Sequence, residues 1–126
     1  MTHEEMDKEF RGDIQYCPED DVHFPSLSVY QTLNFAAAAR TPLDRAGQSR
    51  EEFSDTLTRV LSNTFGLKHA LSTPVGDNMI RGVSGGEKKR VSIAETLAAR
   101  SCISAYDKYV LPAILFYNMY LLAHVE

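Results

Sequence analysis

The chain has 126 residues, 44% hydrophobic and 24% charged, with 17 acidic against 13 basic side chains and a net charge of −4. That length fits one domain with a buried core, and the composition is that of a soluble globular chain rather than a disordered one. The acidic balance argues against a nucleic-acid binder, which needs a basic face to neutralise phosphates.

Two cysteines, Cys17 and Cys102, lie far apart without a CxxC pair or clustered histidines. They support neither a disulfide framework nor a structural zinc site, and they fit a reducing, cytosolic setting. The start, MTHEEMDKEF, is acidic and has no apolar run, so it is not a secretory signal. Eight of the first 25 residues are acidic, whereas Arg81, Lys88, Lys89, Arg90 and Arg100 outnumber Glu87 and Glu95 between positions 81 and 100.

In chain order, Asp13–Cys17 (DIQYC) is a brief strand closed by Pro18. The proline-bounded, polar PEDDVHFPS is a loop. Ser28 with Gln31 is a capping-box pattern, and the helix it opens stops before Pro42. Ser49 with Glu52 repeats the pattern. Phe53, Leu57, Val60, Leu61 and Phe65 then recur at helical spacing, and Gly66 stops that helix. The segment TPVGDNMIRG, positions 73–82, is a connecting loop. A third helix runs from about Glu87 to Ala99, with Val91, Ala94, Leu97 and Ala98 on one face. SCISAY, from Ser101 to Tyr106, is a short strand ending at Asp107. The last stretch, Tyr109 to Val125, carries no charged side chain. Pro112, Asn118 and the lack of basic flanks favour a buried or aggregation-prone segment over a membrane-spanning helix.

Chemistry concentrates at Val83-Ser84-Gly85-Gly86-Glu87. A hydroxyl and two side-chain-free amides stand immediately before a helix, where the first N–H groups lack intrahelical partners and the dipole favours negative charge. That arrangement suits a phosphate oxygen, with Lys88, Lys89 and Arg90 adding positive potential. The same five residues also read as a plain capping box, Ser84 with Glu87, preceded by a turn. No G-x4-G-K-[ST] run occurs, so the chain holds no phosphate-cradling P-loop.

The run VSGGEKKRVSIAETLA resembles the signature motif and following helix of ATP-binding-cassette (ABC) nucleotide-binding domains. Together with YCPEDDVHFPSLSVYQTLNFAAAARTP and VGDNMIRG, it is similar to the first, N-terminal nucleotide-binding domain of fungal pleiotropic drug resistance (ABC-G type) transporters, from about Glu4 to Asp107. The resemblance implies an α/β fold: part of a P-loop NTPase-like ABC domain, comprising mainly its helical subdomain (Ser28 to about Gly82), the signature helix and one core strand. Residues 1–107 would be the partial domain and 108–126 a tail unlike the family.

By resemblance, Ser84, Gly85, Gly86 and Glu87 contact ATP held by the P-loop of a second ABC nucleotide-binding domain. Glu19 stands where most such domains have the Q-loop glutamine. Asp107 ends the Walker B-like strand and organises Mg2+ and water. In this branch the first domain's signature serves the hydrolysing site, while Glu19 and Asp107 belong to a degenerate one. Implied partners are that second domain and the transmembrane coupling helices of a drug-efflux transporter, at the cytosolic face of a membrane.

The chain begins after the place of the P-loop, and past Asp107 it departs from the family, which continues into a T-R-G-L-D-like loop. It is expected to hydrolyse no ATP alone. The competing readings are a non-catalytic interaction module and a truncated product without function. Cys17 and His23 lack a third group to orient a base, and His3, His69 and His124 are scattered, so none receives a role.

Overall fold

A computed structural model of the protein describes residues 2–10 and 12–107; the apolar tail, and with it the expectations for His124 and Pro112, lies outside the described residues. The elements are α1 (His3–Glu9), β1 (Ile14–Cys17), α2 (Val29–Ala39), α3 (Arg50–Thr64), a 3-10 turn (Lys68–Ala70), α4 (Gly85–Ala98) and β2 (Ile103–Tyr106).

Local chemistry sets the three long helices. Each opens on a serine whose hydroxyl accepts the third residue's N–H while that residue's side chain returns to the serine's own N–H: Ser28 with Gln31, Ser49 with Glu52, Ser84 with Glu87. Each box satisfies two amides that would otherwise face no acceptor. α1 precedes the first element expected from the sequence; Thr2 and Glu5 share the same spacing, and the Thr2 Oγ1 accepts from Glu5 N at 3.3 Å. After α4 the chain turns through Arg100 at φ 52°, in the left-handed region usual for a residue just past a helix end. There the Arg100 guanidinium lies 5.6 Å from the Phe53 ring centroid.

The core lies where α2 packs against both α3 and α4. α2 contributes Val29, Leu33 and Ala37, four residues apart on one stripe; α4 contributes Val91, Ala94 and Ala98; Leu61, Phe65, Leu67 and Val75 close it. Burying each Val or Leu stabilises by roughly 1.5–3 kcal/mol, and the alanines let the helices approach. α3 keeps part of the periodicity expected of it, with Leu61 and Phe65 buried and Leu57 packed against the core. Its buried stripe is Ser54, Thr58, Leu61 and Ser62, whereas Val60 is exposed. The hydroxyls tolerate burial because each returns to its own helix: Thr58 Oγ1 to Ser54 O and Ser62 Oγ to Thr58 O, both at 2.7 Å.

β2 has a strand neighbour. It pairs in parallel with β1, in the register Ile14 to Ile103 through Cys17 to Tyr106. This pairing spans most of the chain, and no local signal announces it. Both strands therefore deliver their carboxyl ends to the same side, with Asp107 N donating to Cys17 O at 3.0 Å.

Candidate functional site

The start of α4 is held from three directions. Behind it, the loop 76–82 folds on itself: Asp77 Oδ1 accepts from the amides of Met79 and Ile80, both at 2.8 Å, and Val83 N donates to Pro74 O at 3.1 Å. Gly76 (φ 75°) and Gly82 allow this closure, because a Cβ on Gly82 would overlap the Val75 carbonyl. From within the helix, Lys88 Nζ donates to Gly76 O at 2.6 Å. Arg90 donates to Phe65 O at 2.9 Å, and Lys89 Nζ donates to Pro18 O and Glu19 O at 3.0 and 2.9 Å. The three cations expected to surround a phosphate are thus tethers to backbone carbonyls of three other segments.

At the helix start, Ser84, Gly85 and Gly86 are exposed. A Cβ built on Gly85 or Gly86 meets nothing within 4 Å. Neither residue has a left-handed φ, so no backbone or packing requirement of the described chain calls for glycine at these two positions. Among the described residues nothing accepts from their N–H groups, which face the open space with the positive end of the helix dipole.

Glu87 closes the capping box. Its Oε2 accepts from Ser84 N and from the Ser84 hydroxyl, both at 2.8 Å, and its Oε1 lies 2.7 Å from His69 Nε2, which must carry the shared proton. The amide of Ser84 first, then His69 and the Ser84 hydroxyl, hold the carboxyl down at about 2. His69 had been given no role; it comes from the 3-10 turn, 18 residues away, and nothing local marks it.

The remaining expected residues gather elsewhere. Glu19 and Asp107 follow the paired ends of β1 and β2. Asp107 Oδ2 accepts from the Tyr16 hydroxyl at 3.0 Å, and this bond, then desolvation and the negative charge of Asp107, raises the phenol above its ordinary value. The Glu19 carbonyl is one of the two that receive Lys89. The structure therefore makes Ser84–Glu87 one contiguous group and places Glu19 with Asp107 at the strand ends. His23, set aside earlier, is buried between the loop and α4: Nε2 lies 2.8 Å from Ser92 Oγ and Nδ1 3.2 Å from Glu95 Oε2, with the side chain 4% exposed. Among the described residues there is no cluster of three or more His, Cys, Asp or Glu that could hold a metal ion, and no helix is long and apolar enough to cross a membrane.

A glycine-bearing helix start offering unpaired amides, together with parallel strands whose carboxyl ends share one side, is the layout of a mixed α/β nucleotide-binding fragment. The chain belongs to the ABC transporter family, whose model matches residues 1–109. It is 53% identical over 108 residues to the ABC multidrug transporter atrA of Aspergillus oryzae, covering 85% of this chain and 7% of that protein. It is 55% identical over 101 residues to the ABC multidrug transporter MDR1 of Trichophyton interdigitale (79% and 6%). Against the Saccharomyces cerevisiae protein SNQ2 it is 49% identical over 108 residues (85% and 7%). The chain thus spans less than a tenth of the length of these relatives.

Proposed function

We propose that this chain is part of the first nucleotide-binding domain of an ATP-driven multidrug efflux transporter, and that it supplies a contact to ATP bound by a second such domain. Residues 1–107 form the domain portion. The observation that carries the reading is the open space over Gly85 and Gly86: glycine is not needed there by the chain itself, so it is explained by something outside that comes close. An ATP γ-phosphate fits the donor set, because the free amides and the helix dipole favour an anion and no side chain intrudes. Ser84, Gly85 and Gly86 face the nucleotide. Glu87 contributes by capping: its charge is spread over three donors, which limits its repulsion of a phosphate.

Glu19 and Asp107 serve a different nucleotide site, the one completed by this domain's own P-loop. Mg2+ there would supply charge neutralisation of the phosphates, and Asp107 would hold its water shell. In this reading Tyr16 keeps the Asp107 carboxylate oriented through its hydroxyl. The partners are the second nucleotide-binding domain and the coupling helices of the membrane domains, at the cytosolic face of a membrane.

The test is a chimera in which residues 1–107 replace the matching segment of the A. oryzae multidrug transporter. The expected result is ATP hydrolysis that survives the exchange and is lost when Ser84→Arg fills the open space. A folded, membrane-inserted chimera whose turnover ignores Ser84→Arg would sink the reading.

A further inference from the structure

The cluster around His23 joins the loop after β1 to α4 across 69 residues of sequence. Three close contacts make it up: His23 Nε2 to Ser92 Oγ at 2.8 Å, Ser92 Oγ to Asp21 Oδ1 at 2.6 Å, and His23 Nδ1 to Glu95 Oε2 at 3.2 Å. Each contact needs one proton. Ser92 brings one, and its short distance to Asp21 takes that proton in preference to Lys88 O at 3.3 Å. A neutral imidazole brings one more and leaves one contact bare. An imidazolium brings two and completes all three.

The charges around the ring agree with the proton count. Asp21 and Glu95 face it with two negative charges, and Lys89, 3.4 Å from Asp21, returns one positive charge. On the rim of the adjoining cavity of about 330 Å³, Asp20 is exposed, and Arg40 is committed to Gly12 O at 2.6 Å. A positive ring balances the set. The same atoms do not make a hydrolytic triad. The serine proton goes to Asp21 rather than to the ring, and Ser92 lies in the interior of α4, where the neighbouring amides are bonded within the helix, so no oxyanion site stands beside it.

We propose that His23 is a protonation-dependent latch: as an imidazolium it locks the 18–24 loop onto α4, and loss of one proton releases that loop. His23 is a positioning residue in this account. The latch does not depend on the assignment of ATP to the helix start, and its test uses no nucleotide.

Two measurements on the complete chain decide it. Long-range nitrogen–proton spectra of the imidazoles, at about pH 6, report which His23 nitrogens carry protons. Both are expected to. Amide hydrogen exchange, corrected for the intrinsic pH effect, is expected to show the amides of Leu27 and Gly76, which donate to Phe24 O and Pro25 O at the end of the loop, losing about tenfold in protection between about pH 6 and about pH 8.5. The core amides of Leu33 and Leu61 are the internal reference for global folding. In His23→Gln the loop should be weakly protected at both pH values, with the step gone. A ring carrying a single proton at about pH 6 overturns the proposal, including the case in which Asp21 or Glu95 holds the third proton. So does loop protection that ignores pH, or a step that persists in His23→Gln. Should His23→Gln fail to fold, the ring spectra and the wild-type exchange profile still decide.

Discussion

Replacing Gly86 by alanine should make the protein more stable and at the same time disable it. The added methyl group meets no atom of the chain within 4 Å, and the residue already has a helical φ. The substitution therefore removes backbone freedom from the unfolded state without straining the folded one. In a helix interior the gain is about 0.5–1 kcal/mol; in the first turn, where Gly86 sits, the lower end applies. For a chain of this size that is a rise of roughly 2–4 °C in Tm. Gly82→Ala is the internal contrast, because its methyl would overlap the Val75 carbonyl and force the loop behind the helix to shift. A loss of about 1–3 kcal/mol follows. Urea unfolding monitored by circular dichroism gives both stabilities. ATP turnover of the chimeric transporter gives the functional half, which Gly86→Ala should depress by filling the space a phosphate must enter. If Gly86→Ala unfolds earlier than wild type, the space is not open. If it is stabilised and turnover is unchanged, the space is open but nothing docks there.

Ser84→Ala should cost about 1 kcal/mol in urea unfolding, and Ser84→Thr should restore most of it, since its hydroxyl can both accept the Glu87 amide and donate to the Glu87 carboxylate; equal losses in the two variants would remove the cap from the explanation. The Glu87 carboxyl, held at about 2, predicts a specific pH window. A depressed folded value means that the ionised form stabilises the fold. That contribution is complete above the unfolded value of about 4.3 and is lost as pH falls toward about 2. The difference in urea midpoint between wild type and Glu87→Gln should accordingly close over that interval, and a constant difference would contradict the assignment. The Tyr16 phenol is raised by its bond to Asp107, as the Tyr30 phenol is by its bond to Asp55, so ultraviolet titration should show both ionising late, and Asp107→Asn should bring only Tyr16 back toward the ordinary value. No change in that variant would mean that Tyr16 and Asp107 do not meet in solution.

The helices were legible because their signals are local. Three serine caps fall within four residues of their partners, and the apolar faces of α2 and α4 follow the helical period. The same device at Thr2 and Glu5 marked α1 and went unread, because an acidic, apolar-poor stretch offers no core-facing stripe to confirm it. α3 was legible in part: Leu61 and Phe65 are buried and Leu57 packs against the core, but hydroxyls that bond back to their own helix let Ser54, Thr58 and Ser62 share the buried side while Val60 is exposed. Sheet pairing and the histidine contacts were out of reach in principle. Ile14 meets Ile103, and His23 meets Ser92, through tertiary packing that no window of neighbouring residues contains. The signature stretch was legible as a helix-end anion site, but the destinations of Lys88, Lys89 and Arg90 were not, since a cation's partner depends on which carbonyl the fold brings within reach.

α4 is also a mechanical element. From Glu87 to Ala98 it contains no proline or glycine at which to bend. Lys89, Ser92 and Glu95 recur every three residues along it and grip one loop, while its first turn carries the exposed glycines. At 1.5 Å per residue, the distance from Ser84 to Glu95 is about 16 Å of straight rod. A displacement of the glycine end by whatever presses on it cannot be absorbed along that length, so it reaches the loop carrying Glu19 as a displacement of comparable size.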